Sequence, residues 1–306
     1  MILTVFEISV LISKWVIYLS VAAVIGGTLM QYLIKGQPNL GISVAKYTGV
    51  GAVLGLIAVS INYFAQVGAF AESGLMGIFD AQMHAFLWPT QVGQTVLWRL
   101  IGFGLMLVAS GLLLHKNRYI KTFSAVLAIL SCLLIAVTFT FIGHSTELGL
   151  LAQGLILIHV LIIGSWIGAF YPLWKLCSTD DHSDDNVYDN IVIKNVMDTF
   201  GRLGIVIVIL VLLSGMGMVW MLFDSPTELF SSNYGIAVTI KLCLVAIILL
   251  IAAWHKLVLV PKLTIANTSL AKQKLQKSIG LEALIAVLIL ATTAVLSSVL
   301  GPMSLG

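Results

Sequence analysis

Apolar residues fall along the chain in runs of about 20 or more, long enough to cross a hydrocarbon core. The runs show neither the alternation nor the polar lumen face of an outer-membrane barrel. The first extends from Ile2 to Ile34 and is interrupted by Glu7 and Lys14. It lacks a basic n-region and is too long for a signal-peptide core, so it is expected to be retained as a span. The pattern predicts spans near 5–34, 44–71, 91–114, 120–143, 149–174, 199–223, 235–258 and 276–299. The expected fold is an all-α integral membrane protein, a bundle of about eight transmembrane helices forming a single transmembrane domain over residues 1–306. No internal repeat is evident.

Composition narrows the class. The chain is 59% hydrophobic and 9% charged, whereas a soluble domain carries roughly 25% charged residues. The placement of charge says more than its sum. Lys35 and Lys46 lie in or beside the first linker, and His115, Lys116, Arg118 and Lys121 fill the third. Lys175, Lys194 and Arg202 flank the acidic fifth; Lys256, Lys262, Lys272, Lys274 and Lys277 occupy the seventh. The even-numbered linkers, around 72–90, 144–148 and 224–234, contain no Lys or Arg. Positive residues stay on the cytoplasmic side, so both termini are expected to be periplasmic. The 72–90 linker, with apolar residues around Gly74, Gly77 and Trp88, is expected to form a short interfacial helix. Cys132, Cys177 and Cys243 are scattered, with no CxxC pair, which excludes a disulfide framework as the organising chemistry.

An ionisable side chain inside a bilayer is costly and is therefore a functional candidate. Glu7, Lys14 and Tyr18 recur at spacings that put them on one face of the first helix. Arg99 sits about two turns below the outer end of the third span, Lys241 at similar depth in the seventh, and Glu282 near the inner end of the eighth. The plainer reading has Arg99 and Lys241 snorkelling outward and Glu282 pairing with Arg202.

The histidines divide by side. His115, His182 and His255 fall near the cytoplasmic rim, where a solvated histidine is expected. His84 lies beside Met83 in an outward linker, and His144 ends the fourth span. His159 is about ten residues into the fifth span, roughly 15 Å deep at 1.5 Å per residue. At that depth it needs a metal, a haem or a hydrogen-bond partner. Met218 and Met221 share a face at the outer end of the sixth span. Thioether sulfur suits Cu(I), although methionine also fills apolar gaps.

Trp98-Arg99, Gly143-His144, and His159 with Trp166-Ile167-Gly168 resemble the copper resistance protein D (CopD) family. So do Tyr234-Gly235 followed by Lys241, Pro261 and Glu282, giving a CopD-like core over about 90–306. The family's usual arginine-phenylalanine-serine start of the sixth span is replaced by Thr199-Phe200-Gly201-Arg202. The resemblance implies a bacterial inner-membrane protein that handles copper, with a copper ion as cargo and a separate periplasmic CopC-like protein as partner. The wider superfamily is also similar to HemJ-type membrane proteins, which bind haem.

Two functions follow. In the first, copper from the periplasm is captured by Met83, His84, His144 and the Met218/Met221 stripe and passes toward His159. No GxxxxGK[ST] loop or phosphorylatable Asp motif is present, so such transport would be passive or driven by an ion gradient. In the second, the chain is a haem-binding membrane redox protein, HemJ-like or b-type cytochrome-like, in which a haem b takes His159 or His144 as axial ligand. Lys14, Arg99 and Lys241 against Glu7 alone would oppose a passing cation and suit haem propionates.

Overall fold

A computed structural model describes residues 4–34, 37–143, 148–178, 186–223, 225, 227–262 and 268–299. The terminal residues 1–3 and 300–306, and the segment 144–147 with His144, lie outside the described residues, as does His182. The described residues contain helices and no strand.

Two long helices open the chain. Helix α1 (Val5–Leu33) starts at a capping box, in which Thr4 Oγ1 accepts from the Glu7 amide at 3.2 Å and Glu7 Oε2 accepts from the Thr4 amide at 2.7 Å. Helix α2 (Pro38–Ala71) places its proline in the first turn, where the missing amide costs nothing. A 3₁₀ segment, Gly74–Phe79, and α3 (Ala81–Leu87) follow, exposing Leu75, Met76, Phe79 and Phe86. This is the short helical element expected in the 72–90 linker.

Helices α4 (Gln91–Leu113) and α5 (Arg118–Val137) form a hairpin. Ser124 and Ser131 on α5 donate across it to the Ala109 and Gly102 carbonyls, each at 2.7 Å. Such bonds replace the water that a membrane interior lacks. Helices α6 (Leu150–Ile167) and α7 (Phe170–Cys177) together make the fifth span. Next come α8 (Asn186–Leu222), the short α9 (Glu228–Ser231) and α10 (Asn233–Trp254). Helix α10 runs into one turn of π-helix, His255–Leu259, before α11 (Val260–Lys262) and α12 (Thr268–Ser298).

Eight helical segments are long and apolar enough to cross a membrane: Val5–Leu33, Pro38–Ala71, Gln91–Leu113, Arg118–Thr140, Leu150–Cys177, Ile191–Leu222, Asn233–Leu259 and Lys272–Ser298. Two cores organise them. One gathers Ile17, Val21, Val24, Phe103, Met106 and Ile135 from α1, α4 and α5. The other gathers Met30, Phe170, Ile193, Ile248, Leu275 and Ile279 from α1, α7, α8, α10 and α12. Helix α1 belongs to both and is the axis of the molecule. It passes α6 at backbone contact, because Gly26 and Gly168 face each other and a Cβ on Gly168 would collide with the Ala22 carbonyl.

Candidate functional site

His159 on α6 points at α8. The Ser214 hydroxyl donates to the Leu210 carbonyl at 2.6 Å, so its oxygen is left to accept from His159 Nδ1–H at 3.0 Å. This fixes the tautomer and leaves the Nε2 lone pair with no partner among the described residues. Gly215 leaves room at the ring edge, since a Cβ there would lie 3.6 Å from Cε1. Met218 and Met221 follow Ser214 by four and seven residues, so both extend the same face of α8 toward its C-terminal end. Lys241 on α10 acts electrostatically on the same imidazole. The structure therefore joins His159 to Ser214 across α6 and α8, with Met218 and Met221 one and two turns further along α8 and the charge of Lys241 on α10 acting on the imidazole.

Lys14 and Arg99 form a second cluster. Lys14 Nζ donates to the Ser297 carbonyl at 2.6 Å, and Tyr18 shares a 2.8 Å hydrogen bond with the Ser297 hydroxyl. Arg99 Nε donates to Thr138 Oγ1 at 3.0 Å, and the guanidinium lies 4.8 Å from the Phe139 ring centroid. No carboxylate pairs with either cation among the described residues. Glu7, expected on one face with Lys14 and Tyr18, instead accepts from the Thr4 amide and hydroxyl. The helix-capping geometry is local and leaves no carboxylate oxygen reaching Lys14, about two turns further along α1.

His84 is fully engaged. Its Nε2–H donates to the Ile78 carbonyl at 2.9 Å, and Tyr63 donates to Nδ1 at 3.1 Å. Phe64 packs edge-on against the ring. As placed, it fastens the 3₁₀ segment to α2 and offers no free lone pair. Met83 packs against the α1–α4–α5 core. The structure does not bring either residue to His159.

Reasoning from sequence missed one pair. His255 was expected to be solvated and Glu282 to meet Arg202. Instead Glu282 Oε1 lies 3.1 Å from His255 Nδ1, with both side chains largely buried. Arg202 reaches Thr199 at 3.5 Å. The signal was present: His255 and Glu282 fall at matching depth on consecutive antiparallel spans. A histidine at the rim of a span is usually solvated, and nothing local in the sequence marks this one as buried. The pair faces a cavity of about 950 Å³ between α8, α10 and α12. Among the described residues no three His, Cys, Asp or Glu side chains gather as a metal centre.

Taken together, the helices and their enclosed polar groups define a polytopic α-helical membrane protein with ionisable sites drawn into the bundle. The chain belongs to the copper resistance protein D family. The family model described as copper resistance protein D matches residues 194–296, and that of the copper resistance protein D-like N-terminal domain matches residues 5–153. Residues 154–193, with most of α6 and all of α7, fall between the two matched stretches. The protein is thus a copper-resistance-related, multi-pass membrane protein. No curated protein and no solved structure matches the chain.

Proposed function

We propose that the protein takes copper from the periplasm into or across the inner membrane, with His159 as the deep ligand. The observation that carries this reading is the free Nε2 of His159. Ser214 holds the ring through Nδ1, the arrangement by which a second shell orients a metal-binding imidazole. Met218 and Met221, one and two turns above, supply soft donors on the route inward, and neutral imidazole with thioether selects Cu(I) over hard cations. His144 is assigned the capture step at the surface, ahead of His159.

Lys241 sets the character of the site. Its positive charge beside His159 raises the energy of a bound cation, and a carrier needs binding weak enough to release. The same charge, with Lys14 and Arg99, supports a second reading, in which haem b is bound and its propionates meet these cations. Absorption spectroscopy and metal analysis of the purified protein decide between them. Stoichiometric copper without a Soret band is expected; a Soret band lost in His159→Ala overturns the copper reading. In cells, His144→Ala should weaken uptake at low copper, whereas His159→Ala should abolish it at all concentrations. A CopC-like periplasmic protein is the proposed donor.

A further inference from the structure

Helix α8 packs mainly along α6, and α10 mainly along α12. These two consecutive spans part at the end of the bundle that carries Lys256, Lys272, Lys274 and Lys277, and the crevice between them is the cavity of about 950 Å³. That is near the top of the roughly 300–1,000 Å³ usual for a ligand site. Its lining is graded along the bundle axis. Asn195, Asp198, Thr199, Arg202 and Lys256 form a polar rim. Below it, Ile205, Val208 and Ile209 on α8 face Leu249, Ala252 and Ala253 on α10. Ile205 and Ile209 are each 52% exposed, so the apolar part opens sideways to the surrounding bilayer.

The rim brings two cations together from opposite walls. Lys256, in the π turn that continues α10, crosses to α8 and donates from Nζ to the Gly201 carbonyl at 2.9 Å. Arg202 is the next residue, and its guanidinium reaches Thr199 Oγ1 at 3.5 Å. An ammonium has three donors and a guanidinium five, so both retain donors for a ligand. Neither has an ion-pair partner among the described residues. Asp198 lies one turn before Arg202, so two cations and one carboxylate leave the rim with one positive charge in excess. Glu282, turned to His255 and 3% exposed, presents almost no surface to the crevice. One phosphodiester carries the charge that balances the rim, and a hydrocarbon chain suits the depth. Gly204, between rim and apolar wall, leaves room for that chain, because nothing lies within 4 Å of a Cβ there.

We propose that the crevice between α8 and α10 binds one anionic phospholipid, its phosphate at Arg202 and Lys256 and an acyl chain along Gly204, Ile205 and Ile209. Basic pockets between spans take anionic headgroups in this way, and charge-assisted bonds from guanidinium and ammonium suit a phosphate. None of His159, Ser214 and Lys241 lines the crevice, so the site stands apart from the copper and haem readings. A lipid held there braces α8 against α10, which otherwise rest on different neighbours.

Native mass spectrometry of the full-length protein, delipidated in detergent and titrated with dioleoylphosphatidylglycerol, tests this. One lipid should bind ahead of all others and raise the thermal midpoint. Arg202→Gln/Lys256→Gln should bind it about thirtyfold more weakly, the effect of two lost cations near the membrane surface. Gly204→Trp should fill the crevice without changing its charge and weaken binding to a similar extent. Open space at position 204 should keep this variant monodisperse, and Gly204→Leu is the milder substitute. Lys116→Gln/Lys121→Gln, which removes two cations outside the crevice, should bind like the parent. Unchanged binding in the Arg202/Lys256 or the Gly204 variants, or an equal loss in the Lys116/Lys121 variant, overturns the proposal. So does equally tight binding of dioleoylphosphatidylcholine, which has no net charge. Inorganic phosphate that raises the midpoint as far as the lipid does would show that no chain is recognised, and would overturn it too. A dimer that Gly204→Trp disperses would give the crevice to a second copy of the chain instead.

Discussion

Ser214 and Lys241 do opposite work on His159, and each can be separated by one substitution. Ser214→Ala removes the acceptor for Nδ1–H and leaves a buried donor unsatisfied, at a cost of roughly 1–3 kcal/mol. It should lower the thermal midpoint in detergent and weaken Cu(I) binding together, because the ring is no longer held. Lys241→Met removes a charge beside the bound ion and should tighten Cu(I) about tenfold, equivalent to about 1.4 kcal/mol. Under the haem reading the same variant should hold its cofactor more loosely, so the sign of the change discriminates. At this scale the sequence was informative where depth alone decided the matter. His159, Lys14, Arg99 and Lys241 stood out because any ionisable group is conspicuous in an apolar run. Who meets whom was not legible. The capping box that takes Glu7 is written locally as Thr4-x-x-Glu7, but it lies inside an apolar run that masks a helix start. The Ser214 contact with His159 bridges 55 residues and has no local signature at all.

Hydropathy located the apolar middle of every span and misjudged several ends. Helix α8 starts at Asn186 rather than near 199, and α12 at Thr268 rather than near 276. A helix does not stop at the hydrocarbon boundary; polar turns continue it into water, where hydropathy falls but hydrogen bonding does not. The fourth span shows the reverse, with α5 ending at Val137 and tightening into a 3₁₀ turn over Thr138–Thr140. There Thr138 accepts from Arg99 and donates to the Ile135 carbonyl at 2.6 Å, so the last turn is shaped by a polar contact. Between elements, small residues decide how closely helices pass. Gly168→Val would push a branched side chain into the backbone of α1 at Ala22, an overpacking that α6 can relieve only by moving away. It should cost at least about 3 kcal/mol and reduce the yield of monodisperse protein. Gly104→Val makes a fair control, because nothing lies within 4 Å of a Cβ there. Equal loss of stability in both variants would mean that helix propensity, not the α1–α6 crossing, explains the effect.

For the whole molecule, every directional statement depends on which end faces the periplasm. The chain carries that information in its linkers: residues 72–90 contain no Lys or Arg, while Lys116, Arg118 and Lys121 crowd the linker at the other end of the α4–α5 hairpin. Basic residues near span ends are retained in the cytoplasm, so Ser73 should face the periplasm and Lys116 the cytoplasm. Both are exposed, which makes them suitable for labelling. In a variant with Cys132, Cys177 and Cys243 replaced by alanine, Ser73→Cys should react with a membrane-impermeant maleimide in intact cells. Lys116→Cys should react only after the membrane is opened. The consequence for mechanism is direct. His159 lies in the half of the bundle that contains Ser73 and the α1 start, whereas His255 and Glu282 lie toward Lys116 and the other basic linkers. With the predicted orientation, the Met218/Met221 face and His159 lie toward the periplasm and the buried His255–Glu282 pair toward the cytoplasm. Labelling of Lys116→Cys in intact cells and protection of Ser73→Cys would reverse that assignment.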